Sequence, residues 1–255
     1  MIHLIWRSGA AIVMMAGMVL AAGWTPPPAE AAEPPPPPCH MYRGDVSLKA
    51  LQAQENRMKK RLNGSDASSG DPCELAHVYY KLARLVPAQQ DRFLSECIVQ
   101  TQAALAQNTR AGTAYFLQGL CLGRQGEVLG IWKSLTIIKS FRRNMEMAVK
   151  ISPGLDRGGP HRALGRLYFK LPGLLGGDVK KSIHHLRKAV GYGPDYWENH
   201  FFLAESYYED DQYLKAKSEL EKTLEICKNL KNDPDVKASR VDFQKLRKSI
   251  DQKIH

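Results

Sequence analysis

The chain has 255 residues, 44% hydrophobic, 8% aromatic and 24% charged, with 36 Lys and Arg against 26 Asp and Glu for a net charge of +10. That hydrophobic fraction excludes disorder over most of the length, and a mean hydropathy of −0.37 excludes a polytopic membrane protein. The length fits one or two domains, and the positive charge suits an anionic partner without choosing among nucleic acid, lipid headgroups and organic acids.

Residues 1–38 stand apart from any fold. Arg7 is the one charge ahead of the apolar run 8–23, which is shorter than the ~20 apolar residues of a spanning helix. This pattern reads as a secretory signal, with small-x-small cleavage options at Ala21-Ala22-Gly23 and Ala29-Glu30-Ala31. An uncleaved N-terminal anchor is the alternative. The expected organisation is a signal peptide over 1–31, a Pro-rich linker and N-terminal segment over 32–69, and a helical domain over 70–255, in the periplasm. Cys39 follows a run of prolines rather than the small and apolar residues of a lipoprotein signal. Residues 26–38 read as an extended polyproline spacer.

An exported chain meets an oxidising compartment, where cysteines pair. Cys39 and Cys73 fall outside helices or at their edges and are able to pair. Cys97, Cys121 and Cys227 sit in helical apolar patterns and read as buried thiols. Cys39-His40 lacks the upstream cysteine that haem attachment needs, so no cofactor is expected.

From about residue 70 the pattern is helical throughout. A helix is expected over 127–150, where Val128, Ile131, Trp132, Leu135, Ile138, Phe141, Met145 and Ala148 recur every three or four positions. Gly126 precedes it and Ser152-Pro153-Gly154 stops it. Tetratricopeptide-like units, two helices over ~34 residues each, follow one another. The last carries His200, Leu203, Ala204 and Tyr207, then Ala216, Leu220 and Thr223. Before it come Leu164, Gly165 and Tyr168 with Leu186, Ala189 and Pro194, and before those Tyr115, Gly119 and Leu122 with Met145, Ala148 and Pro153. A weaker unit over 72–108 carries Ala76, Tyr79, Cys97 and Ala104. Phe243, Leu246, Ile250 and Ile254 mark a final helix with a polar back, as solenoid caps have. The fold class is therefore all-α, a tetratricopeptide-like helical-hairpin solenoid with extended inter-helix insertions.

One insertion is unusual. Residues 171–178, Leu-Pro-Gly-Leu-Leu-Gly-Gly-Asp, form an apolar turn where inter-helix loops are normally polar. Pro172, Gly173, Gly176 and Gly177 read as structural, Asp178 reads as a helix cap, and Leu174 and Leu175 are expected to be buried or to face a partner. The string from Tyr168 to Ala189, with Pro194 after it, resembles the T-component family of TRAP transporters over roughly 115–224, and the same turn is similar to one in a eukaryotic regulator-of-microtubule-dynamics family. The first resemblance implies an exported helical protein working beside a periplasmic solute-binding subunit.

Catalytic and metal motifs are absent. Residues 173–178 lack the spacing and the Lys-Ser/Thr of a phosphate loop. His184 and His185 point about 100° apart on a helix, and neither they nor His161 form a metal-ligating cluster. No enzyme, metal or nucleic-acid activity is expected. The concave face of the solenoid remains, where residues four apart on first helices share a stripe. This gives Phe116, Leu120 and Arg124; Arg162, Arg166 and Lys170 beside Phe169; and Phe201, Glu205 and Glu209 beside Tyr208. Arg162 and Arg166 are placed to fork a carboxylate, and a solvated charged face is the plainer reading. Two functions compete: a periplasmic binding protein serving TRAP-type uptake, holding a small organic acid or docking the solute-binding subunit, and a scaffold that assembles envelope proteins. Self-association as a homo-oligomer stays open.

Overall fold

The computed structural model describes residues 39–64, 67–68, 70–129 and 135–254, so the signal and the 26–38 spacer lie outside the described residues. Ten α-helices follow in chain order among them: α1 (Leu48–Leu62), α2 (Asp71–Leu85), α3 (Gln90–Gln107), α4 (Gly112–Leu129), α5 (Leu135–Ile151), α6 (Leu155–Lys170), α7 (Val179–Tyr192), α8 (Trp197–Glu209), α9 (Tyr213–Cys227) and α10 (Pro234–Ile254). Short 3₁₀ turns occupy Pro87–Gln89 and Gly173–Leu175, and no strand occurs among the described residues. Helices α2/α3, α4/α5, α6/α7 and α8/α9 form four hairpins, each stacked on the next, with α1 before them and α10 after.

Small residues let the helices of a hairpin meet. A Cβ on Gly119 would lie 2.6 Å from Met145, and one on Gly165 would lie 2.5 Å from Leu186. Ala76 and Ala204 hold the matching places in the outer hairpins and are fully buried. The caps follow ordinary chemistry. Ser47 accepts from the Ala50 amide at the start of α1, and Asp178 accepts from the Lys181 amide at the start of α7. Asp233 accepts from the Asp235 and Val236 amides, with Pro234 opening α10.

Several expectations need correction. The helix expected over 127–150 is divided: α4 continues through Gly126 to Leu129, and α5 begins at Leu135. The intervening Ile131 and Trp132 lie outside the described residues. The stop at Ser152-Pro153-Gly154 is present, but beyond it Asp156, Arg157 and Gly158 all have left-handed backbone (φ 49°, 55° and 80°), and regular helix resumes only afterwards, with Pro160 in its first turn. Helix α1, within the stretch read as linker and N-terminal segment, packs Leu51 and Met58 into one core with Leu75, Tyr79, Leu82 and Leu94. Cys39 pairs with Cys73, and Cys97 is bonded to Cys121 rather than being a thiol. The reason is position: facing helices α3 and α4 bring their Cα atoms within 6.4 Å. Cys227 is a buried free thiol.

The 171–178 turn is built as a structural unit. Gly176 has φ +89°, which strains residues with a side chain. Gly177 is required for a different reason: a Cβ there would lie 1.7 Å from the Leu171 carbonyl oxygen. Leu174, expected to be buried or to face a partner, is 79% exposed, which removes the first of the two alternatives.

These contacts can be tested by substitution. Gly177→Ala should lower the melting temperature clearly, while Gly173→Ala, whose Cβ meets nothing within 4 Å, should change stability by no more than ~0.5 kcal/mol. Differential scanning calorimetry of the two variants decides it. Removing the bridge that closes 24 residues with Cys97→Ala/Cys121→Ala should cost about 3 kcal/mol, read as a lower midpoint in urea.

Candidate functional site

The curvature of the array leaves a concave cavity of about 770 Å³. Helix α2 supplies His77, Tyr80, Lys81 and Arg84; α4 supplies Phe116, Leu120 and Arg124. Opposite them, α6 contributes Arg162, Arg166 and Lys170, and α8 contributes Glu198 and Phe202. Ile137, Ile138 and Phe141 of α5 and Ala238 and Ser239 of α10 complete the walls, with Met41 from the segment ahead of α1. The cavity is closed on one side by an ion pair 151 residues apart in sequence: Arg84 Nη2 donates to both oxygens of Asp235, at 2.9 and 3.1 Å.

The charges in the walls are largely matched. Arg162, nearly buried, lies 2.8 Å from Asp156 Oδ2 and 3.3 Å from Glu198 Oε2, and its guanidinium covers the Tyr196 ring at 4.5 Å. Arg166 reaches Glu205 Oε2 at 2.5 Å and is held between the rings of Phe202 (4.0 Å) and Phe169 (5.1 Å). Arg124 pairs with Glu127. Burial pushes the Glu198 carboxyl up, and Arg162 opposes that shift. Lys81 has no carboxylate partner among the described residues, and burial, then Arg84, holds its ammonium below the usual lysine range. One turn before it, the Nδ1 of His77 is buried without a hydrogen-bond partner. Burial, then the Lys81 charge, pulls this imidazole down to about 3, so it is neutral.

Arg162 is positioned by Asn199, which is fully buried. Its Oδ1 accepts from Arg162 Nη1 at 3.2 Å. Its Nδ2 faces the carbonyls of Arg157, Ala189 and Gly193 at 3.0, 2.9 and 3.0 Å. The left-handed turn at 156–158, the end of α7 and the start of α8 therefore share one side chain.

Of the residues expected on the concave face, Phe116, Leu120, Arg124, Arg162, Arg166 and Lys170 line the cavity. Glu205 joins them through Arg166. Phe169 supports Arg166 without forming the wall. Phe201 and Tyr208 lie elsewhere: Phe201 is in the core against Phe243 (4.8 Å) and Trp197, and Tyr208 packs on Tyr213. On α8 the residues that face the site are Glu198, Phe202 and Glu205, so Phe202 takes the place given to Phe201. Arg162 and Arg166 do not wait as an open fork, since internal carboxylates already occupy both. The α2 stripe His77, Lys81, Arg84 was missed, although helical spacings of four and three carry it; the weak repeat signal over 72–108 hid it. Of the turn residues 172–178, none lines the cavity.

The histidines expected to be metal-free form a different device. His161 and His185 share a hydrogen bond between their Nδ1 atoms at 2.9 Å, so one donates and the other accepts. Tyr192 stacks on His161 and Tyr168 on His185, outside the cavity. Burial first, with Lys188 and His184 adding to it for His161 and the histidine neighbours for His185, pulls both down to about 4. Among the described residues no group of three or more ligands is placed to hold a metal ion.

These shifts fix the sign of a pH dependence. A histidine whose folded value is depressed takes up protons in the unfolded chain first, so stability falls as pH drops from about 6.5 towards 4. His200 acts oppositely. Burial lowers it, but the Glu219 carboxylate and Pro194 carbonyl outweigh that and raise it, so its contribution is lost as pH rises through its folded value. Three depressed histidines against one raised one give a net loss in acid. The melting temperature should fall between pH 7 and pH 4.5, and His161→Gln/His185→Gln should flatten the profile; a flat wild-type profile would contradict the assignment. Asn199→Ala should leave three carbonyls and a guanidinium short of partners, at a cost of about 2–3 kcal/mol or more, measured by urea unfolding.

No protein-family model matches the chain, and no curated protein sequence does. Among solved structures it is similar to TTC0263, a thermophilic TPR protein of Thermus thermophilus, at 20% identity and a TM-score of 0.53, covering 77% of this chain and 88% of that one. It is also similar to MamA (15% identity, TM-score 0.46, 74% and 97% covered) and to MamA from Desulfovibrio magneticus RS-1 (16%, 0.45, 75% and 99%). The architecture and the first of these likenesses identify the fold as a tetratricopeptide-like helical repeat.

Proposed function

We infer that this protein is a non-catalytic interaction scaffold of the periplasm that holds a segment of a partner protein in its concave cavity. The observation that carries the reading is the cavity itself. Six helices and the segment before α1 line it with Phe116, Leu120, Phe141, Leu167 and Phe202 beside internally paired arginines. Such a surface offers apolar contact beside two ammonium groups, Lys81 and Lys170, that have no carboxylate partner among the described residues, which suits a protein segment carrying an acidic side chain. The location is supported by the signal-like N-terminus and by two disulfides, bonds that persist in oxidising compartments.

The turn at 171–178 supports a narrower form, in which the partner is the solute-binding subunit of a TRAP-type importer. A small organic acid is the lesser alternative, because Arg162 and Arg166 would have to leave Asp156, Glu198 and Glu205 to receive it. A photo-crosslinking residue at position 120, in the cavity, should trap a protein in periplasmic extract, whereas one at the exposed position 241 should not. Mass spectrometry that identifies a solute-binding subunit selects the narrower form. Equal trapping at both positions, or none at 120 together with a melting-temperature rise on adding dicarboxylates, would reverse the reading.

A further inference from the structure

The charges that line the cavity leave a cationic remainder. Six cations, Lys81, Arg84, Arg124, Arg162, Arg166 and Lys170, face it together with four carboxylates, Glu127, Asp156, Glu198 and Asp235. His77 is neutral and adds no charge. Glu127 matches Arg124, Asp156 and Glu198 match Arg162, and Asp235 matches Arg84. Arg166 is taken by Glu205 from behind the wall. Lys81 and Lys170 are left without a carboxylate among the described residues. Lys170 is exposed at the end of α6, beside the Phe169 ring at 5.6 Å. Lys81 is half-buried in the α2 wall, where its only carboxylate influence, Asp156, is already bonded to Arg162.

Lys81 and Arg84 stand three apart on α2 and line the same wall, and residues at that spacing are neighbours on a helix. Each is a positive charge in the other's surroundings, since burial and then Arg84 hold the Lys81 ammonium down. Across the mouth the signs are reversed. Burial, then Asp235 and Asp156, push the Glu198 carboxyl up against the opposing effects of Arg162 and Tyr196. Arg84 reaches both oxygens of Asp235, yet the backbones of α2 and α10 do not approach. Asp235 therefore meets α2 by its side chain alone, and it brings one carboxylate to a wall that presents two cations.

We propose that Lys81 and Arg84 are the anchoring subsite for an Asp or Glu side chain of the segment held in the cavity, and that Asp235 is the chain's own stand-in for that side chain, an autoinhibitory contact. This inference rests on the cavity reading above and says which residues receive the acidic group. Asp235 answers Arg84 and leaves Lys81 unmet, whereas a carboxylate arriving inside the cavity is shared by both in charge-assisted hydrogen bonds. Arg84 and Asp235 are 49% and 55% exposed, and a pair so exposed is weak enough to exchange. The α6 side is not available for the same task, because Arg162 and Arg166 are held by carboxylates of lower exposure. Leu120, Phe141 and Phe202 line the rest of the cavity, so the residues flanking the acidic one are apolar.

The test is fluorescence anisotropy of the full chain with two rhodamine-labelled peptide amides, Ser-Leu-Asp-Phe-Leu-Ser and its counterpart with asparagine in place of aspartate. The aspartate peptide should bind at least tenfold more tightly than the asparagine peptide. Lys81→Met should remove most of that preference, with Lys81→Gln as a second variant if the first does not fold. Asp235→Asn should act in the opposite direction, tightening the aspartate peptide about two- to fivefold and leaving the asparagine peptide unchanged. Asp242→Asn makes the same change in net charge away from the cavity and should leave both peptides within twofold. Equal binding of the two peptides, no binding of either, or weaker binding of the aspartate peptide by Asp235→Asn would overturn the proposal. So would displacement of the aspartate peptide by succinate at similar concentrations, since a free acid would then suffice. Crosslinking from position 120 separates this from the cavity reading. A partner trapped there equally by wild type and by Lys81→Met removes the anchor alone, while no trapping removes the cavity reading itself.

Discussion

Asn199 is the constraint on which the joint between the last two hairpins depends. Asp156, Arg157 and Gly158 adopt left-handed backbone in succession, a conformation that costs a residue with a side chain about 1–2 kcal/mol. The turn persists because it cannot relax without breaking contacts on every side. Gly158 abuts the backbone of Ala189, Gly193 abuts Arg157, and the Asn199 amide holds the carbonyls of residues 157, 189 and 193. These groups find their partners within the protein. The joint also positions Arg162, whose guanidinium rests on the Asn199 oxygen and on the carbonyl and carboxylate of Asp156.

The same pairing runs along the cavity walls. A guanidinium removed from water must find carboxylates or hydrogen bonds in compensation, and here each arginine on the α6 side has both. Arg162 bridges Asp156 to Glu198, and Arg166 bridges α6 to α8 through Glu205. These pairs tie first helices of successive hairpins together along the inner curve. Arg84 and Asp235 do the same across the open side, between elements whose backbones do not approach. Both partners of that last pair are about half exposed, and exposed pairs contribute little, roughly 0–1 kcal/mol. The inner curve is therefore held firmly by buried pairs, and its mouth is held by a contact that opens at small cost.

Much of this architecture was legible in the amino-acid sequence, because helix pairing leaves periodic marks. Gly119, Gly165 and Ala204 recur where two backbones touch, and the offset of five from Ala148 to Pro153 and from Ala189 to Pro194 fixes the register of the joints. Less was legible where the cause is nonlocal. The left-handed turn at 156–158 contains only one glycine, so nothing in the local sequence demands it; the demand comes from Asn199, some forty residues on. The Cys97–Cys121 bond depends on which faces of α3 and α4 meet, and apolar periodicity alone reads both residues as core. At the candidate site, a spacing of four found Phe116, Leu120, Arg162 and Arg166 but not which groups were free. Adjacent aromatics on α8 defeated it as well, since Phe201 and Phe202 differ only in whether α10 or the cavity lies in front of them.

The apolar turn at 171–178 connects the inside of the array to its edge. The Tyr168 carbonyl accepts from the Asp178 amide, so the chain leaves α6 and returns to α7 across a gap closed by a backbone hydrogen bond. Within that loop the Pro172 carbonyl accepts from both Leu175 and Gly177, and Gly177 is pressed against the Leu171 carbonyl too closely for any side chain. These contacts give its leucines different surroundings: Leu171 is buried at the cavity wall, and Leu174 is exposed to solvent. A polar loop would satisfy the same hydrogen bonds, so neither the glycines nor the cap explains why residue 174 is a leucine. Leu85, Leu135 and Leu214 stand at the equivalent edge of the other hairpins, also exposed and with no greater need of it. These leucines stand at different points of their hairpins, the end of α2, the start of α5, the loop and the start of α9, and single exposed leucines are ordinary on a folded surface; the backbone thus dictates glycine at 177 and leaves residue 174 unconstrained.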